Sequence, residues 1–101
     1  MKDISKEEWK ELIQNDDSAV VMDVRTPAEC SEGMQKNAIQ LDLMNASAFM
    51  EGVEKLDKSK TYYVYCRSGG RSGQACQIMD SKGVKSFNLI GGMMFWDGEI
   101  V

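Results

Sequence analysis

Four β-type runs alternate with helix-type segments along a chain of 101 residues, and this alternation restricts the fold more than any other feature. The run "AVVMDV" (19–24) is continuously apolar up to a late carboxylate, which suits a strand buried on both faces. "AIQLDL" (38–43) alternates apolar and polar residues and predicts a less buried strand. "TYYVYC" (61–66) is rich in β-formers and predicts a central strand, and "SFNLI" predicts another. Helix signals lie between them. Ser5 with Glu8 makes a capping-box pattern, and Trp9, Leu12 and Ile13 follow at helical spacing, so a helix is predicted over 6–14. Thr26, Pro27, Glu29 and Gly33 supply a cap, a first-position proline, a third-position acid and a stop for a short helix. Phe49, Val53 and Leu56 share one helical face, and Ala75, Ile78 and Met79 form the stripe of a helix that starts near Ser72 and closes at Gly83. "GGMMFWDGE" predicts one last helical turn. Such a sequence predicts an α/β fold: a parallel sheet with helices on both faces, binding its ligands at the C-terminal ends of the strands.

Length and composition narrow the function. The chain has room for one domain spanning 1–101, and Met1 suggests a natural start. Sixteen acidic against twelve basic side chains repel a polyphosphate backbone, so nucleic acid is not an expected partner. There is no apolar run of membrane-spanning length and no signal-like N-terminus, so a cytoplasmic protein without a membrane partner is expected. Cys30, Cys66 and Cys76 are too few, with no histidine, for a four-ligand zinc site, and no metal or other cofactor is expected. The absence of histidine also excludes any Ser-His-Asp or Cys-His pairing within the chain. An activated nucleophile must be tuned by other means.

"VYCRSGGRS" (64–72) offers those means. Cys66 closes the central strand, and Arg67, Ser68, Gly69, Gly70, Arg71 and Ser72 follow before the next helix. The glycines permit inward-turned N–H groups, the helix start adds partial positive charge, and Arg67 and Arg71 add full charges. Each effect favours thiolate, so the Cys66 thiol is expected to ionise below the free value of about 8.5. Cysteine-dependent phosphatases place five residues between the cysteine and a phosphate-clamping arginine. Here four residues separate Cys66 from Arg71, and Ser72 stands where that arginine would be. The tighter loop suits a single sulfur carried on the cysteine better than a phosphoryl group.

With that loop, "MDVRTPAEC" (22–30) and "NLIGGMMFWDG" (88–98), the chain resembles the rhodanese-like sulfurtransferases, in particular their small single-domain members, over nearly its whole length. The resemblance implies a three-layer α/β/α fold around a five-stranded parallel sheet. It further implies a persulfide on Cys66, formed from a donor such as thiosulfate and discharged to cyanide or a thiol, with a sulfur-accepting protein as a further partner. On this reading the amides from Arg67 to Ser72 hold the outer sulfur, while Arg67 and Arg71 attract the sulfonate. A cysteine-dependent phosphatase or arsenate reductase and a non-catalytic regulatory module are the competing readings. "EGMQKNA" (32–38) departs from the family's usual Glu-Gly-His-Ile-Pro-Gly-Ala, which bears on the shape of that segment and on acceptor choice.

Elsewhere the expectations are structural. Asp23 is expected to bind loop amides and Arg25 to pair with an acid such as Glu29. Cys76 and Cys30 are expected to be packed thiols, with a resolving role for Cys76 as the alternative. The methionines, Met93 and Met94 among them, are expected to be mostly core filler, a few of them rimming the Cys66 pocket.

Overall fold

The computed structural model describes residues 1–101. Five strands, β1 (Lys2–Ile4), β2 (Ala19–Asp23), β3 (Ile39–Gln40), β4 (Thr61–Tyr65) and β5 (Lys85–Leu89), form one sheet in the order β1-β5-β4-β2-β3. Every pairing is parallel. The connections carry α1 (Lys6–Gln14), α2 (Pro27–Cys30), α3 (Ala46–Glu54) and α4 (Gly70–Ser81), and a short 3-10 helix, Gly92–Phe95, follows β5. No helix is long and apolar enough to cross a membrane.

The period of two along β4 divides the core. Tyr62, Val64 and the following Cys66 face one side and pack with Phe49 and Val53 of α3 and with Ala75, Cys76 and Met79 of α4. Tyr63 and Tyr65 face the other side and pack with Ile4, Leu89 and Trp9 of α1. All five residues of β4 are buried, as its central place in the sheet requires.

Local signals set most boundaries. Ser5 Oγ accepts from the Glu8 amide at the start of α1, and Thr26 with Glu29 forms a full capping box on α2. Two edges differ from expectation. The strand expected over 38–43 is regular only at Ile39–Gln40, although the Leu41 and Leu43 amides still reach the carbonyls of Asp23 and Val24. β1 carries no local β signal: two of its three residues are charged and exposed, and parallel pairing with β5 makes it a strand. Leu56 lies past the end of α3, and α4 begins at Gly70, two residues before the expected start.

Candidate functional site

Cys66 directly follows β4 and is 1% exposed. Its Sγ accepts the Gly69 N–H at 3.1 Å and the Ser72 hydroxyl at 3.4 Å. Burial alone would push this thiol up. Hydrogen bonding from the Ser72 side chain and from the Ser72, Gly69 and Ser68 amides outweighs burial and holds it below its ordinary value. Amide and hydroxyl donors therefore carry most of the activation, and the Arg71 charge adds a smaller coulombic share.

The two glycines do different work. Gly69 takes φ +109°, which L side chains rarely adopt, and turns its N–H onto the sulfur as the N-cap of α4. Gly70 is simply the first residue of the helix, with open space where a Cβ would be. The Gly69 carbonyl accepts from Asn88 Nδ2 at 3.2 Å, and the same amide group donates to Asp3 Oδ1 at 2.9 Å. Asn88 Oδ1 is thereby turned to the Ser72 hydroxyl. Sequence reasoning missed Asn88; its one signal was a polar residue within the apolar run "SFNLI".

The arginines also separate. Arg71 is clamped bidentately by Glu29, at 2.7 and 2.8 Å, and this guanidinium is the main reason the Glu29 carboxyl is held down at about 2. Arg25 pairs with an acid, as expected, but not with Glu29. It forks instead onto Asp23, with Nη2 to Oδ2 at 2.7 Å, donates to the Gly33 carbonyl and lies over the Tyr65 ring. Asp23 is fully buried and only two residues away in sequence, so the nearer acid captures the guanidinium and leaves Glu29 to Arg71. The Asp23 carboxylate also accepts the Arg25 amide, the loop contact expected of it. Arg67 and Ser68 are exposed, and Arg67 has no carboxylate partner. A cleft of about 400 Å³ beside the loop is lined by Arg25, Glu29, Glu32, Arg67, Met93 and Met94.

The segment after β5 closes over the loop. The Met93 and Met94 amides donate to the carbonyls of Cys66 and Arg67 at 3.0 and 2.9 Å. Met94 is 59% exposed, so this methionine sits on the rim of the site and is no core filler. Cys76 is fully buried and Cys30 half-buried, and burial pushes each thiol up to about 11, the opposite of Cys66.

The family description "Rhodanese-like domain" matches residues 5–99. The chain belongs to the rhodanese-like family. YtwF of Bacillus subtilis is 40% identical over 99 residues, covering 98% of this chain and 93% of that protein. A protein of Allochromatium vinosum named sulfurtransferase is 32% identical over 97 residues, covering 95% and 88%. Among solved structures, a rhodanese-related protein from Thermoplasma volcanium superposes with a TM-score of 0.87 at 27% identity, covering 100% and 98%. The rhodanese-like fold expected from the sequence is the fold observed, and sulfurtransferases are among the relatives of this rhodanese-like chain.

Proposed function

We propose that this chain moves sulfane sulfur from a thiosulfate-type donor to a thiophilic acceptor through a persulfide on Cys66. The Cys66 thiolate attacks the outer sulfur of the donor; the bond between outer and sulfonate sulfurs breaks, and its electron pair leaves with sulfite. A thiolate or cyanide then attacks the outer sulfur of the persulfide, and the Cys66 thiolate departs. Neither half needs an oxidant or a proton relay, which agrees with a chain that has no histidine.

The observation that carries this reading is the donor set on Sγ. The Gly69 amide and the Ser72 hydroxyl support the thiolate before attack and an anionic sulfur after it. Arg67, with its charge uncommitted, receives the sulfonate; Arg71, held by Glu29, braces the loop from behind. A second cysteine is not required, and the raised thiol of buried Cys76 makes it a poor acceptor at neutral pH.

Incubation with excess thiosulfate followed by intact-mass measurement tests the proposal. One sulfur, about 32 Da, should add to the protein, should be discharged by cyanide and should be absent in Cys66→Ser. No adduct on a folded protein overturns the reading in favour of a binding module, and hydrolysis of an aryl phosphate without an adduct overturns it in favour of a phosphatase.

A further inference from the structure

Asn88 lies in β5, is 6% exposed, and makes no hydrogen bond to Cys66. Its side chain is nevertheless committed around the thiol at both ends. Nδ2 donates to Asp3 Oδ1 at 2.9 Å and to the Gly69 carbonyl at 3.2 Å, while Oδ1 accepts from the Ser72 hydroxyl. A carboxylate and a carbonyl on the same end fix that end as the nitrogen, because both only accept. Parallel pairing sets Asp3 opposite Asn88, so the short charged strand β1 helps to hold the amide in this sense.

The two donors to Cys66 Sγ depend on this amide to different degrees. The Gly69 carbonyl also accepts the Gly73 amide at 3.0 Å in the first turn of α4, and the Met93 and Met94 amides hold the Cys66 and Arg67 carbonyls. The turn that aims the Gly69 N–H at sulfur therefore keeps its shape on other bonds. Ser72 has no such reserve. It is fully buried, and its hydroxyl meets two acceptors, Cys66 Sγ at 3.4 Å and Asn88 Oδ1. One proton cannot serve both, so the amide competes with the thiolate for its side-chain donor.

We propose that Asn88 is a positioning residue that acts on Cys66 through Ser72, as a second acceptor that takes the hydroxyl proton whenever no sulfur anion draws it. Its use in turnover rests on the persulfide reading: Sγ carries the charge when it attacks the donor and again when it departs from the persulfide. Ser72 turns to sulfur at those moments, because a charged acceptor makes the stronger hydrogen bond, and turns back to Asn88 in the neutral thiol. The buried hydroxyl is thus paired in either state.

The sign of one titration separates this from a merely structural role. In Asn88→Leu, which keeps the branched shape, the midpoint of iodoacetamide alkylation against pH should fall, because Ser72 is left with Sγ as its acceptor. A residue that only braced the loop would on removal weaken the donors and raise the midpoint. In the Ser72→Ala background the same substitution should leave the midpoint where it stands. Neither change alters a charge: Asp3, Arg25, Glu29, Glu32, Arg67 and Arg71, the charged groups around the loop and cleft, all remain. A rise in Asn88→Leu, no shift, or an equal fall in the Ser72→Ala background would overturn the proposal. The ¹⁵N-labelled parent decides it even where Asn88→Leu fails to fold. Its Asn88 side-chain amide signal should follow pH with the midpoint of Cys66, and most of that shift should vanish in Ser72→Ala, where the thiolate still forms. A shift of full size in Ser72→Ala, or none in the parent, would overturn it equally. Neither readout uses thiosulfate, so its failure is distinct from a failure of the persulfide reading.

Discussion

Ser72 has one hydroxyl proton and two acceptors for it, Cys66 Sγ and Asn88 Oδ1. Ionisation of the thiol tips the choice toward sulfur, because a hydrogen bond to a charged acceptor is the stronger one. Ser72→Ala removes this donor from a buried site, and the Cys66 thiol should ionise at higher pH. The midpoint of iodoacetamide alkylation against pH measures it; an unchanged midpoint would mean that the backbone amides suffice. The arginines give a second prediction. Arg67→Ala should raise the KM for thiosulfate about fivefold with kcat little changed, as expected for loss of one exposed cation. Arg71→Ala, which frees Glu29 beside the loop, should act on kcat and on stability together. Steady-state kinetics separate the two, and the reverse pattern would return the sulfonate to Arg71. The sequence showed Cys66 and its loop because those residues are contiguous. It could not show that Arg71 belongs to Glu29, since 42 positions separate them and the fold alone brings them together.

At the scale of elements, the legible ones were those whose ends carry their own chemistry. α1, α2 and β4 were set by a serine cap, a capping box with proline, and a β-forming run. β1 and β3, of three and two residues, are strands by virtue of β5 and β2, so no local pattern announced the first or bounded the second. The 3-10 helix was foreseen as a last helical turn, but its position over the site was not. Gly92 is the reason it can lie there. Its φ is +52°, and a Cβ would meet the Arg67 carbonyl oxygen at 2.7 Å and the Cys66 carbonyl oxygen closer still. Gly92→Ala should therefore cost about 2–4 kcal/mol and detach the Met93 and Met94 amides from the loop. Thermal unfolding measures the first effect and amide exchange at residues 93 and 94 the second. A variant as stable as the parent, with those amides still protected, would refute the close approach.

For the whole molecule, the ion pair between Glu29 and Arg71 ties α2 to α4 across the C-terminal edge of the sheet, and its titration should be visible in global stability. The Glu29 carboxyl is depressed from 4.5 to about 2 by Arg71. A depressed acid contributes stability that is fully present above its unfolded value and is lost as pH falls through the folded one. The pair thus stabilises above pH 4.5 and fades toward pH 2. Side chains 26% and 30% exposed keep much of this screened by water, so the contribution is set at about 1 kcal/mol. The opposite sign holds at the alkaline end. Burial raises Tyr62, Tyr63 and Tyr65, and stability should fall above pH 10 as their unfolded phenols ionise. Glu29→Gln separates the two limbs. Urea unfolding at intervals between pH 2 and 11 should show its acid limb flattened relative to the parent and its alkaline limb unchanged, because the tyrosines are buried in the two cores and do not touch Glu29. An acid limb as steep in Glu29→Gln as in the parent would transfer that loss to other depressed carboxyls such as Asp16, which Ser18 and Tyr63 hold down.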